Sequence, residues 1–186
     1  ENDDISRTRR TERLLHSPGV TAGAYQHALA EFGIPSVSDR SGSILETSEA
    51  EILSAILAIL DNPHQDVPLV TAMGSPVFSF TPEELAQPRR EQRSSDYYTA
   101  LLEQEPKTEK LTQFLSWLDA TRARTADLPL TELLDVIFDS TGMLDVFSAL
   151  PDGVQRVKTL EALRSLAISA EKTESCSLLT FRTRLE

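Results

Sequence analysis

Asp135, Asp139 and Asp145 are the carboxylates of this chain that could be imagined around a divalent cation. Asp135 and Asp139, however, stand opposite the apolar stripe Leu134, Ile137, Phe138, so they read as the solvated face of an amphipathic helix. The three histidines, His16, His27 and His64, lie far apart and form no H-E-x-x-H or similar ligand spacing, which makes surface histidines the better reading. Ser75, in Gly74-Ser75-Pro76, lacks the G-x-S-x-G elbow that exposes a nucleophile. No G-x-x-x-x-G-K-[ST] loop occurs, so ATP is offered no phosphate cradle of that type, and this chain alone is not expected to hydrolyse it. Trp117, between Leu115 and Leu118, reads as core filling rather than a base-stacking platform. The lone Cys176 excludes a disulfide framework or a cysteine-rich zinc site within one chain, and fits a reducing compartment.

The formal net charge of −11 works against a sequence-independent DNA clamp, because it repels phosphate at long range. With 186 residues, 40% of them hydrophobic, the chain is long enough to bury one core. No apolar run approaches the roughly 20 residues that span a bilayer, and the polar opening Glu1-Asn2-Asp3-Asp4 has no signal-peptide core, so the expected location is cytoplasmic with no membrane partner. The missing initiator methionine suggests a piece cut from a longer polypeptide.

The pattern that must position any site is mainly helical. The run Ile52, Leu53, Ile56, Leu57, Ile59, Leu60 has helical period and is apolar around most of its circumference, which makes it the expected centre of the core. Ser48 and Glu51 have capping-box spacing at its start. Asn62 is expected in the left-handed C-terminal position, Pro63 stops the helix, and Asp66 is expected to cap the next one, with Pro68 tolerated in its first turn. Leu69, Val70 and Met73 mark that short helix, and Gly74-Ser75-Pro76 breaks it. Thr81-Pro82-Glu83-Glu84 is a strong helix start, which Pro88 is expected to end early, before a polar loop from Arg89 to Ser95. Helices are then expected over Asp96 to Gln104, Thr108 to Arg124, Thr131 to Thr141, Gly142 to Leu150, Val154 to Ser169 and Ser177 to Leu185. Upstream, Ala22, Tyr25, Leu29 and Phe32 share a helical face ended by Gly33, and Ile34 to Val37 reads as extended. The fold class is mainly α, a multi-helix domain with at most a short strand or extended segment near the N-terminus.

The order of several short motifs resembles a known family. Gly33-Ile34-Pro35, Ser41-Gly42-Ser43 with Glu46, Asp61-Asn62-Pro63-x-Gln65-Asp66-x-Pro68-Leu69, Ser75-Pro76 and Thr81-x-Glu83-Glu84-Leu85 are similar to the AddA (RexA) family. That family comprises ATP-dependent helicase/nuclease chains of bacterial double-strand-break processing, related to UvrD and PcrA helicases. Thr141-Gly142-Met143-Leu144-Asp145, Pro151-Asp152-Gly153-x-Gln155-Arg156 and Leu178-Leu179-x-Phe181-x-x-x-Leu185 continue the match, over about residues 14 to 186. The resemblance implies that residues 1–47 are part of a second RecA-like (2A-type) domain and residues 48–186 a helical 2B-type insertion. It implies neither active site here, with ATP and Mg serving the parent protein and no cofactor this segment. The implied partners are DNA and a second helicase/nuclease subunit (AddB/RexB-like). The implied duplex contact is the turn from Gly74 to Thr81, whose helix-start amides could face phosphate; Ser75, Ser79, Phe80 and Thr81 are its residues, and Arg156 is a further candidate.

Two departures bear on affinity. Gly74 stands where the family commonly has arginine in R-S-P, and Ser79-Phe80 stands where a glycine follows. The isolated chain is therefore expected to bind DNA weakly. Two functional classes follow: a non-catalytic accessory domain of a DNA helicase/exonuclease, or a free-standing acidic α-helical protein–protein interaction module.

Overall fold

The computed structural model describes residues 44–91, 94–125, 127–173 and 181. The helix and extended segment expected between Ala22 and Val37, nearly all of the 1–47 unit, and the helix expected over 177–185 apart from Phe181 lie outside these residues. Among the described residues there are eight α-helices and no strand: α1 Ser48–Asp61, α2 Asp66–Gly74, α3 Pro82–Glu91, α4 Tyr97–Glu103, α5 Glu109–Thr125, α6 Leu130–Thr141, α7 Met143–Ser148 and α8 Gly153–Thr173. A short 3₁₀ turn, Ile44–Glu46, leads into α1. No helix among the described residues is long and apolar enough to cross a membrane.

The isoleucine-rich helix is the centre, as its pattern requires. Leu53, Ile56, Leu57 and Ile59 of α1 are fully buried, and α1 packs against α2, α5 and α8. A helix surrounded on three sides cannot be amphipathic in the usual sense, which is why apolar residues occupy most of its circumference. Its N-cap is one residue earlier than the sequence spacing suggests. Thr47 Oγ1 accepts from Ala50 N at 3.3 Å, so Ser48 and Glu51 do not form the box, and Ser48 lies in the first turn.

The corner after α1 also differs from expectation in two ways. Asn62 is extended (φ −142°, ψ 107°), not left-handed; its Oδ1 accepts from His64 N at 3.1 Å, and Arg122 and Gln65 donate to the last carbonyls of α1 instead, at Leu60 and Ala58. Asp66 does not cap its own helix. Its Oδ1 accepts from Tyr97 N at 2.8 Å, the first amide of α4, and its Oδ2 takes Arg89 Nη2. One carboxylate thus joins α2, α3 and α4. The same Arg89 donates to Ser95 O, and α3 runs past Pro88, which sits inside the helix, rather than ending early as expected.

The C-terminal half follows the sequence pattern more closely. Gly142 (φ 62°) ends α6 in the left-handed conformation that glycine adopts without a Cβ penalty. Gly153 opens α8 where a Cβ would lie 2.1 Å from Ser148 O, so no larger residue fits that approach. Asp135 keeps a solvent-exposed side chain, as the solvated-face reading requires, and also pairs with Arg164 through Nε at 2.5 Å and Nη2 at 2.8 Å, joining α6 to α8. The guanidinium holds the Asp135 carboxyl below its usual range. Asp139 and Asp145 are exposed.

Candidate nucleic-acid interface

The turn between α2 and α3 carries four of the five candidate contacts, and its backbone is closed by its own hydrogen bonds. Phe80 N donates to Met73 O at 3.0 Å and Ser79 N to Ser75 O at 2.7 Å, with Ser79 in the left-handed region at φ 56°. Ser75 is buried (3% exposed), and its hydroxyl donates to Ala72 O at 2.7 Å. Phe80 is likewise buried (7%) and lies edge-on to Phe114. Ser79 and Thr81 are exposed. The turn therefore presents two of its four candidate side chains outward, while the other two hold it to the core.

At the start of α3 the expected Thr81 cap forms, and Glu84 closes it into a capping box. Thr81 Oγ1 accepts from Glu84 N at 3.3 Å, and Thr81 N donates to Glu84 Oε2 at 2.8 Å. These helix-start amides are consequently satisfied from within, and a phosphate would have to displace a carboxylate to reach them. Lys110 of α5 completes the arrangement. Its ammonium donates to Glu84 Oε2 at 2.8 Å and to Ser79 O at 2.6 Å, and lies 4.5 Å from the centre of the Phe80 ring. The Lys110 hydrogen bond, with the Thr81 amide second, holds the Glu84 carboxyl below its usual range. The cation that the turn lacks locally thus comes from a helix 31 residues away from Ser79, a contact that local sequence rules do not reach.

Beside the turn lies a cleft of about 250 Å³ lined by Val77, Phe78, Lys110, Phe114, Trp117 and Thr141, among others. Phe78 meets Phe114 edge-on (centroids 4.9 Å, 82°) and Trp117 at a tilt (4.8 Å, 54°). Trp117 is half-buried, and its Nε1 donates to Ser140 Oγ at 2.9 Å. It fills the core on one side, as expected, and opens to the cleft on the other.

Arg156 is engaged elsewhere. Its Nη1 donates to the buried Glu49 carboxylate and to Ser48 Oγ at 3.2 Å, and its Nε to Pro151 O at 2.9 Å. It ties the start of α8 to the start of α1. His64 Nδ1 lies 2.9 Å from Asp96 Oδ1, and its ring is edge-on to Tyr98. Asp96 also caps α4, and the hydroxyl and amide of Thr99, ahead of His64, lower its carboxyl to about 2. Among the described residues no group of three or more histidine, cysteine or acidic side chains could hold a metal ion.

No family model matches the chain. Similar curated proteins are found, however, and those named here are all the A subunit of an ATP-dependent helicase/nuclease. The chain is 34% identical over 154 residues to that of Leuconostoc mesenteroides, covering 83% of this chain and 12% of that protein. It is 31% identical over 172 residues to the protein of the same name from Thermoanaerobacter sp. (strain X514), with 90% and 14% covered. With that of Pediococcus pentosaceus it shares 33% over 182 residues, covering 90% and 15%. The chain thus spans less than a fifth of the length of the curated relatives it matches.

Proposed function

The chain belongs to the family of ATP-dependent helicase/nuclease A subunits as the counterpart of one segment of them, and from that premise we propose that it is a non-catalytic, 2B-like accessory body of an ATP-dependent DNA helicase/exonuclease. The observation that carries the proposal is the similarity itself, which runs over 83–90% of the chain in these relatives. In this reading the body positions duplex DNA or a second, AddB/RexB-like subunit during double-strand break repair and recombination in the cytoplasm. ATP and Mg act in polypeptide beyond this segment, because the chain has no phosphate loop to hold a nucleotide.

Mechanical placement asks for stiffness, and the cross-links supply it. Asp66 joins three helices, Arg156 joins α1 to α8, and Asp135 joins α6 to α8. A load applied at the turn between α2 and α3 is passed to the core through Phe80 and Lys110. The exposed Ser79 and Thr81 are the candidate contacts to the duplex, whereas Ser75, Phe80 and Arg156 support the surfaces around them. Such a contact is weak, since Lys110 is already shared with Glu84 and the chain carries −11. The isolated chain should bind DNA no more tightly than about 10⁻⁶–10⁻⁴ M in physiological salt.

The test is to remove this segment from the longer polypeptide. DNA-stimulated ATP hydrolysis should persist while its coupling to unwinding changes. ATP turnover by this chain alone, or a parent protein without DNA-stimulated ATPase activity, overturns the proposal.

A further inference from the structure

We propose that the groove between α1 and α2 receives a basic amphipathic helix of a protein partner, an inference that rests on the accessory role above and gives its partner-positioning half a surface. Helix α2 leaves part of one face uncovered. Val67, Val70 and Thr71 stand at i, i+3 and i+4 on it, and Val67 is 77% and Val70 37% exposed. Val67 and Thr71 wall an open groove of about 470 Å³, floored by Ala55 and Ala58 of α1 and lined also by Leu45 of the 3₁₀ turn. The alanines carry no bulk beyond Cβ, so an incoming side chain can approach the α1 backbone closely. Beside Leu45 stand Glu46 and Glu51, both exposed and, among the described residues, without an ion-pair partner.

The lining decides the occupant. An extended peptide would need a sheet edge to pair with, and the described residues contain no strand. A polyproline segment needs aromatic walls, and no aromatic side chain lines this groove. Nucleic acid and anionic lipid both need cations. The lining offers no lysine or arginine but two carboxylates, on a chain that carries −11. The mode that fits is a helix laid in the groove, its apolar anchors at i, i+3 or i+4 and i+7 over Val67 and the alanine floor. Lysine or arginine on its flank then meets Glu46 and Glu51, so charge complementarity fixes the partner as basic. The Ser54 and Thr71 hydroxyls, which have no side-chain hydrogen bond among the described residues, are open to the polar flank of such a helix.

The probe is a labelled helical peptide of about 18 residues, with a leucine stripe and lysine on its other faces. Its controls are a shuffled peptide of the same composition, the same helix with glutamate for lysine, a DNA duplex, and vesicles of phosphatidylcholine with phosphatidylserine. The full chain is titrated with each by fluorescence anisotropy or co-sedimentation. The lysine helix should bind at least about tenfold more tightly than its shuffled form, the fold-change that burying one valine-sized anchor carries. Val67→Asp removes an anchor while adding a negative charge; binding should weaken at least about tenfold, whereas mere attraction to an acidic surface would strengthen it. Glu46→Lys with Glu51→Lys should turn the preference towards the glutamate helix, and because both positions are exposed this variant guards against a folding defect in the first. Equal binding of ordered and shuffled peptides, or unchanged or tighter binding by Val67→Asp, overturns the proposal. Capture of duplex or vesicles that Val67→Asp abolishes overturns it as well. If removing the segment from the longer polypeptide still alters unwinding in that case, the accessory role stands and only the groove assignment falls.

Discussion

Arg156→Ala separates a structural role from a DNA-contacting one, and the structure sets its size. Glu49 is 5% exposed, in the first turn of α1, and takes its charged partner from Arg156, 107 residues away. Removing that partner leaves a carboxylate facing the protein interior with only Ser48 and the positive end of the helix to hold it. Breaking a fully buried pair costs about 3–5 kcal/mol; because the Arg156 side chain is 30% exposed, water relieves part of this, and we expect about 2–3 kcal/mol. For a chain of this size the loss corresponds to a fall of about 4–12 °C in Tm. Urea unfolding followed by far-UV circular dichroism measures it. The orphaned charge accounts for much of the cost, so Glu49→Gln in the Arg156→Ala background should restore at least about 1 kcal/mol. An Arg156→Ala variant with unchanged unfolding and lost DNA binding would refute this reasoning and return Arg156 to the interface.

The two glycines that the backbone requires should respond for different reasons. Gly153→Ala drives a Cβ into Ser148 O and should cost about 3 kcal/mol, the upper end of overpacking. Gly142→Ala meets open space and pays only for its left-handed backbone, about 1–2 kcal/mol; urea midpoints of the two variants give the order. In acid, Asp96 has a folded-state value of about 2 against 3.8 for an ordinary aspartate, and Glu84, Asp135 and Glu171 shift in the same direction. Depressed carboxylates contribute stability that is present above their ordinary values and is lost as pH falls towards the folded ones. Stability should therefore drop between about pH 4 and pH 2, and Asp96→Asn should make that drop shallower in a pH series of urea midpoints.

What could be read from residue order were the features governed by neighbours within one helical turn or by a run of pattern. The period of Ile52 to Leu60 made α1 the core helix, Thr81-Pro82 announced the start of α3, and the helix expected over Thr131 to Thr141 ends at Thr141. The ordered motifs also pointed to the right relatives, since motif order survives where single residues change. The candidate contacts were less legible: a serine and a phenylalanine in a turn look available until packing buries Ser75 and Phe80.

The rest depended on groups that meet only after the chain has folded. Asp66 looked like a cap for its own helix, yet its carboxylate is used by Tyr97, 31 residues on, and by Arg89. Helix α3 continues past Pro88, against the local rule, and its Arg89 reaches Asp66 and Ser95 across the following connection. Lys110 became the cation of the turn, and Trp117 became one wall of a cleft, through contacts between α5 and the α2–α3 connection. Residue order settled most of the described helices and their apolar faces, because backbone hydrogen bonding and hydrophobic period act over three or four residues. The choice of partner for each charged group waited on tertiary structure, because a carboxylate or guanidinium bonds whatever donor or acceptor packing brings within about 3 Å, at any separation along the chain.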